Sequence, residues 1–497
     1  MSAGEPTRLI VGPFNRVEGD LEVRLTITAG RVQAAQVNAP MYRGFETLLV
    51  GREAHDALVI VPRICGICSV SQSVAAARAL ADAAGVTPPP NGIHAVNLMA
   101  ACENLADHLT HFYLFFMPDF TRPVYAARPW HGEALRRFAA MAGVQARTAL
   151  AARQRWFTLL GTLGGKWPHT GSVQPGGSAR AIDVSERIRL LAKLREFRAF
   201  LEQHLYGAPL EEVAAIADAA ALDAWHARDP LRGDLRLFLS IAADLGLQHL
   251  GPGPGRYLSY GAYADGQGGH ALAQGLWDGA ALHSLDTAQI TEDATHAWLA
   301  CGGVGGVGRD EAAPRHPYDG LTQPQPDKPG AYTWNKAPRL AGRVVETGAL
   351  ARQLVAGQPL LRELAARDGA SVRLRVLARL LEIARVLPWM ERWLTDIRIG
   401  EPFHAAAPLP AEARGMGLTE AARGALGHWV TLAGGRIANY QIVAPTSWNF
   451  SPRDAGGTPG ALEAALEGVA VAPGETSPVA VQHIVRSFDP CMVCTVH

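Results

Sequence analysis

The sequence predicts an α+β fold, predominantly helical, in which a small N-terminal β-meander precedes a core of long helices. Three observations carry this expectation. Residues 8–37 alternate apolar with polar side chains or run β-branched. Six later segments repeat apolar residues every three or four positions among Ala, Leu and Arg, which are strong helix formers. Two Cys-x-x-Cys pairs stand at opposite ends of the chain, and if they share one metal, residues 1–497 must close around it as a single domain.

In chain order, Arg8 to Val11 and Leu21 to Ile27 read as the first two strands, with Gly30 as the turn into a third at Val32 to Val37. Helices are expected over Ser71 to Ala84, Ile93 to Met117, Gly132 to Leu163, Val184 to Tyr206, Leu235 to Leu245 and Val372 to Leu394. Gly and Pro cluster at Gly251 to Gly255, Cys301 to Gly308 and Gln323 to Gly330, which reads as three loops. Gly303 to Gly308 spells Gly-x-Gly-x-x-Gly. Arg309-Asp310-Glu311 and a Pro-rich stretch follow it, not a dinucleotide-binding helix, so it too reads as a loop.

Composition excludes several partners. Lys plus Arg equals Asp plus Glu at 46 each, with no basic block, so the electrostatic footprint of a nucleic-acid binder is missing. The N-terminus has no basic stretch followed by an apolar one, as a secretory signal would. Apolar runs such as Ala57 to Val61 and Val469 to Ala472 are far too short for a membrane span. Six cysteines in a chain of 497 residues do not make a disulfide-stapled scaffold, so a reducing, cytoplasmic setting is expected.

Four of those cysteines form Cys65-Gly66-Ile67-Cys68 and Cys491-Met492-Val493-Cys494, the second pair lying just before His497. Soft thiolate ligands suit zinc, copper(I), nickel and iron-sulfur clusters. A structural zinc site is the plain alternative, although four-cysteine zinc sites normally bring two knuckles together over a short gap. Here the gap is nearly the whole protein. Cys102 and Cys301 read as buried small hydrophobes, and His108 with His111 as hydrogen-bonded core residues.

The flanks of the cysteines, Arg63-Ile64 before the first pair and Asp489-Pro490 before the second, resemble the two signature segments of the large, catalytic subunit of nickel-iron hydrogenases. The similarity runs almost end to end. It includes Arg16-Val17-Glu18-Gly19, Arg43-Gly44-Phe45-Glu46, Asp107-His108, Lys336-Ala337-Pro338-Arg339, Arg423-Gly424-Ala425-Leu426 and Pro445-Thr446-Ser447-Trp448. The resemblance implies the fold of that subunit and reversible heterolytic splitting of dihydrogen. Cys65 and Cys491 would be terminal nickel ligands, and Cys68 and Cys494 would bridge nickel to an iron bearing carbonyl and cyanide, with an open position for hydride between the metals. Pro445, Thr446 and Ser447 would line the same cofactor.

By the same resemblance, Cys491 would take the proton and Glu18 would carry it onward, a task that needs a carboxyl tuned toward neutrality. The bland alternative for Glu18 is an ion pair with Arg16. Arg423 would lie over the open site, held by Asp107 and Asp489, its fork of donors orienting dihydrogen. Glu46 and His497 would bind magnesium or another divalent ion, an imidazole being an unusual ligand for a hard cation. With no cysteines left for clusters, electrons must leave through a separate iron-sulfur small subunit.

The family is commonly made with a C-terminal extension cut away after this histidine, so a chain ending at His497 is either a mature form or the product of a gene without one. Departures from the family pattern favour the second. Asp20 and Gln72 stand where the family has His, and Ile67 with Phe115, eight residues after Asp107, are bulkier than the usual Val and Leu of the gas route. A narrower route passes dihydrogen and obstructs dioxygen. That pair resembles the cytoplasmic, hydrogen-sensing subclass, whose regulatory partner is a sensor histidine kinase. The alternatives are an energy-conserving uptake hydrogenase and a non-catalytic relative of the complex I type, which normally lacks the four cysteines.

Overall fold

The structure, a computed structural model, describes residues 5–301 and 313–497. The Gly303–Gly308 motif and Arg309-Asp310-Glu311 lie outside the described residues. The N-terminal meander is present as β1 (Thr7–Val11), β2 (Glu22–Thr28) and β3 (Arg31–Asn38), paired antiparallel in the order β1-β2-β3. Ala29 and Gly30 form the β2–β3 turn with φ of 51° and 72°, the doubly positive geometry that matches strand twist. Val23, Leu25, Val32, Ala35 and Val37 of this sheet are buried.

Helix dominates, at 45% of the chain. The long elements are α1 (Ser69–Ala84), α2 (Pro90–Thr110), α3 (Val184–Phe200), α4 (Asp234–Asp244) and α5 (Val372–Asp396). Their starts were expected within a few residues, because a continuous apolar stripe and good helix formers mark them, but α2 and α3 end short of the expected Met117 and Tyr206, each giving way to a π turn, His111–Phe116 and Leu201–Tyr206. The expected Gly132–Leu163 helix is instead three pieces, His131–Phe138, Val144–Trp156 and Thr158–Gly164. Gly143 makes the first break: a Cβ there would sit 2.4 Å from the Arg137 carbonyl oxygen, so the chain turns where only glycine fits.

The expected Ile93–Met117 helix also changes character. After Thr110 it widens into a π turn over His111–Phe116 and tightens into a 3-10 turn over Met117–Thr121, where Pro118 withholds a donor. The extra residue per turn shifts the register by about one position. Phe116, fully buried, therefore points inward against Phe120 and Phe238, and Phe115 is left half-exposed, outside the core cluster. Phe115 and Ile67 are both partly buried, Ile67 against the core cluster.

Two further sheets were not legible in the sequence. One pairs β4 (Tyr257–Ala264) with β5 (His270–Trp277). The other is a meander of β6 (Ala413–Ala421), β7 (Gly424–Ala433) and β8 (Arg436–Val443). β4 and β7 are buried on both faces, so they show no alternation, and β6 and β7 are rich in Gly and Ala, which have low strand propensity. Those glycines have a packing reason. A Cβ on Gly415 or Gly417 would lie 2.0 Å or 1.9 Å from the carbonyls of Ala79 and Ala75, so β6 lets the Ala-rich α1 settle directly on its backbone.

One core cluster takes in residues from Val11 to Val496, the two ends of the chain included. A last helix, α6 (Val479–Ser487), leads into the second cysteine pair. Among the described residues, no helix is long and apolar enough to cross a membrane.

Candidate metal centre

The chain ends meet through backbone pairing. Glu18 lies in a parallel bridge with Cys491: its N–H donates to the Pro490 carbonyl at 3.4 Å, and the Met492 N–H donates to the Glu18 carbonyl at 2.7 Å. Gly19 makes the approach possible, since a Cβ there would come within 2.9 Å of the Val493 nitrogen, and its φ is 79°. Arg43 ties the same ends from the other side, donating its N–H to the Val496 carbonyl at 2.8 Å and its guanidinium to the carbonyls of Ile64 and Arg63.

Cys65 stands just past the 3-10 turn Val61–Arg63, Cys68 is the residue before α1, and Cys491 and Cys494 bracket a single 3-10 turn. All four are buried, are not disulfide-bonded, and have sulfurs within 4.8 Å of one another. The Cys65–Cys491, Cys68–Cys494 and Cys491–Cys494 sulfurs are 3.4, 3.3 and 2.9 Å apart. Sharing of an S–H with Cys491 holds the Cys65 thiol low and pushes Cys68 up, and burial pushes Cys491 up. Four thiolates cannot coexist in this box without a cation among them. Soft sulfur donors so arranged fit nickel and iron.

Arg423 is the one guanidinium the box acquires by design of the turn. It occupies, with Ala422, the two-residue loop between β6 and β7, where Ala421 pairs with Gly424. Its Nη1 and Nη2 donate to the two oxygens of Asp107 at 2.5 and 3.2 Å, Nη2 also to Asp489 Oδ1 at 3.2 Å, and Nε to the Asp489 carbonyl at 3.0 Å. Asp489 has a φ of 57°, a left-handed conformation that a non-glycine residue holds only when its surroundings insist. Burial raises Asp107 to about 7 against the pull of Arg423, while Asp489 is lowered because Arg423, His111 and Arg379 together prevail over its burial. Both sequence-predicted acids are thus brought to the predicted arginine.

Glu18 is half-buried, and burial together with the Cys65 charge raises its carboxyl. It is not paired with Arg16, which donates instead to Asp119. Thr446, the second residue of the short helix Pro445–Asn449, accepts the Cys491 N–H on its Oγ1 at 3.1 Å; Pro445 opens that helix and Ser447 is buried within it. His108 and His111 stay off the sulfurs: Nε2 of His108 faces Glu382 at 3.2 Å and Nε2 of His111 faces the Arg486 carbonyl at 2.7 Å. Gln72 is buried with its Oε1 2.9 Å from His428 Nε2, and Asp20 is exposed. Cys102 is buried as expected, but Cys301 is half-buried and accepts a contact from Lys328 Nζ at 3.0 Å.

Glu46 and His497 do meet. His497 Nε2 lies 2.7 Å from the Ile442 carbonyl and 3.4 Å from Glu46 Oε1, and its Nδ1 lies 2.5 Å from the Cys494 carbonyl. A carboxylate, a carbonyl and an imidazole nitrogen facing one another fit a divalent cation. Sequence reasoning missed their neighbours. Lys336 Nζ donates to Gln441 Oε1 at 2.7 Å and Glu292 Oε2 at 3.1 Å and reaches Glu46 Oε2 at 3.5 Å; Thr322 donates to the same Glu46 oxygen. Burial pushes Glu46 up, but Lys336 and His497 outweigh it and bring it down to about 2. Also missed was Glu103, one α-helical turn before Asp107, whose oxygens accept the N–H groups of Val70 and Ser71 at 2.8 and 2.9 Å and so cap α1. Nothing but an acid inside an apolar helix announced it.

The family described as nickel-dependent hydrogenase matches this chain over residues 43–129 and 130–497. The chain belongs to that family. It is an oxidoreductase acting on dihydrogen. The periplasmic [NiFeSe] hydrogenase large subunit of Desulfomicrobium baculatum is 30% identical over 100% of this chain and 96% of its own length. The Hydrogenase-1 large chain of Escherichia coli (strain K12) and the uptake hydrogenase large subunit of Cupriavidus necator are 28% and 27% identical, each over 99% of this chain and 95% of its own length. Among solved structures, the Ni-Fe-Se hydrogenase of D. vulgaris Hildenborough in its reduced state superposes with a TM-score of 0.84 at 30% identity, covering 99% of this hydrogenase chain and 100% of its own.

Proposed function

We propose that this chain, as one domain over residues 1–497, is the dihydrogen-splitting large subunit of an uptake-type nickel-iron hydrogenase. The observation that carries the reading is the buried box of Cys65, Cys68, Cys491 and Cys494 with Arg423 fixed beside it by two carboxylates. Relatives named as uptake and Hydrogenase-1 large chains favour hydrogen uptake over hydrogen sensing. The sensing role, with its histidine kinase, rests only on Ile67, Phe115, Asp20 and Gln72.

Cys65 and Cys491 would hold nickel, and Cys68 and Cys494 would join it to an iron carrying carbonyl and cyanide. When bound, that group supplies the polarisation that splits dihydrogen heterolytically. The protein does the rest. Arg423 presents fixed donors over the box and, being held by Asp107 and Asp489, needs no reorganisation when charge develops. Cys491 Sγ receives the proton, and the Glu18 carboxyl, raised by burial, takes it on toward solvent. Pro445, Thr446 and Ser447 wall the site, with Thr446 Oγ1 fixing the backbone of Cys491. Glu46, His497 and the Ile442 carbonyl would hold magnesium or another divalent cation near the C-terminal cysteine turn. Electrons leave to an iron-sulfur small subunit, since the remaining cysteines are Cys102 and Cys301, which do not join the box.

Elemental analysis of the purified heterodimer is expected to find nickel and iron, and infrared spectra to show bands of iron-bound carbonyl and cyanide. One equivalent of zinc without those bands would overturn the assignment.

A further inference from the structure

Away from the cysteines, a cavity of about 460 Å³ opens between α1, the start of α2, the β4–β5 turn and β6. Its size is that of a small-molecule site. Val74 and Arg78 of α1, Ile93 and Val96 of α2, and Leu418 of β6 are among the residues that line it, with His270 beside them. Mostly hydrocarbon surrounds one guanidinium.

Arg78 is the anomaly. It is largely withdrawn from water, yet among the described residues its one hydrogen bond is from Nη1 to the Leu418 carbonyl at 2.6 Å, and no carboxylate pairs with it. Burial alone brings it down to about 10, with no acid holding it up. Arg352 is matched with Glu382 and Glu420, and Arg375 with Glu346; Arg379, buried without an ion pair, donates instead to two carbonyls, those of Arg375 and Ser487, and does not line this cavity. A buried cation without a counter-charge destabilises a fold, and removing the charge by deprotonation is not open to arginine.

The other titratable groups of the cavity do not supply that charge. Asp82, one turn along α1, is exposed and accepts the Met416 N–H at 2.8 Å. Asp265, on the β4–β5 turn, is exposed and accepts the N–H groups of Gln267 and Gly269. His270 is lowered to about 4 by burial and by Arg78, so its ring is neutral and adds no competing cation.

We propose that this cavity binds a monocarboxylate with an apolar body, the carboxylate seated on the unbonded edge of the Arg78 guanidinium and the hydrocarbon lying along Val74, Ile93, Val96 and Leu418. A planar fork of N–H donors matches a carboxylate in geometry and charge, and the wall matches an alkyl chain or an aromatic ring. Because α1 begins directly after Cys68, the ligand rests on the helix that follows a metal-box cysteine.

Octanoate serves as the probe, titrated by calorimetry into the metal-loaded heterodimer, with octan-1-ol as the uncharged control. Saturable one-to-one binding is expected, with octan-1-ol and the Arg78→Gln variant each weaker by about tenfold or more, and Arg78→Lys in between. Arg78→Gln should melt no lower than the parent, since it removes an unpaired buried charge. If it melts lower, Val96→Trp decides, because it fills the cavity and leaves Arg78 in place: loss of octanoate binding in that variant supports the site. The proposal is overturned if the heterodimer shows no saturable octanoate binding, if Arg78→Gln binds octanoate as the parent does, or if Val96→Trp keeps it.

Discussion

Two polar clusters lie within the same C-terminal turn and solve the problem of buried charge in opposite ways. Beside the cysteine box two acids are pushed up, Asp107 and the nearby Glu103 both to about 7, because burial dominates, with the negative charge of Asp489 and Cys65 adding to it at Asp107. Around His497 the acid is pulled down, Glu46 to about 2, because Lys336 and the imidazole are built into the cluster. The first site carries an excess of donors that only metal cations can balance. The second is already close to neutral among its own side chains. A metal is therefore a condition of the first site and an addition to the second.

The largest effect expected from that contrast is at the box itself. Cys491→Ser replaces a soft ligand by a hard, weakly acidic hydroxyl, and dihydrogen oxidation is expected to vanish together with nickel. Nickel content measured alongside activity checks it; a variant that retained both would show that three sulfurs suffice. Next comes Glu18→Gln, which keeps the shape of the side chain but cannot take up and release a proton. Hydrogen-deuterium exchange should fall by roughly 10² to 10⁴-fold at full metal content. Unchanged exchange would remove Glu18 from the proton route.

Much of this site was legible because its chemistry is written in residue types that have few other uses. Paired cysteines at both ends, with Asp489 and Arg423 in recognisable surroundings, pointed to one centre, and the folded chain brings them together. The long helices were legible for a related reason: α1, α2 and α5 carry one residue pattern without interruption. Elements buried on both faces were not. β4 and β7 have no polar face to alternate with, and the glycines of β6 serve the approach of α1, a partner more than three hundred residues away in sequence. Which of Phe115 and Phe116 is fully buried was not legible, since counting residues along a helix holds only while the turn stays α, and His111–Phe116 is a π turn. Lys336 stood in a segment resembling the family, but a lysine in sequence does not disclose that it neutralises Glu46 and Glu292.

That neutralising role gives the third prediction. Lys336→Met removes the cation and leaves Glu46 and Glu292 buried together, which should cost about 3 to 5 kcal/mol of stability, the usual penalty for breaking a buried ion pair by deleting one partner. If the cluster then resembles the cysteine box in needing a metal, added magnesium should restore much of the loss in the variant and change the parent far less. Chemical unfolding with and without magnesium reads both. Equal responses in parent and variant would mean that Lys336 does not take the place of cationic charge there.

The smallest effects concern pH, where the two regions should tilt stability in opposite directions. Glu103 has a folded value of about 7 against an ordinary 4.5, so the folded protein binds its proton more tightly than the unfolded chain does. Its contribution is fully present below about 4.5 and is lost as pH rises through about 7. Glu46, at about 2 when folded, is the reverse: its contribution is present above about 4.5 and is lost as pH falls toward 2. Each group can tilt the curve by at most about 1.4 kcal/mol per pH unit. Urea midpoints followed from about pH 5 to about pH 8 should decline in the parent and decline less in Glu103→Gln, which has nothing to titrate. From about pH 5 downward, Glu46→Gln should lose stability less steeply than the parent. A Glu103→Gln curve parallel to the parent's would mean that the five donors around this carboxylate, from Val70, Ser71, Ser69 and Trp167, keep it ionised despite its burial, and the contrast between the two clusters would then rest on Asp107 and the thiols.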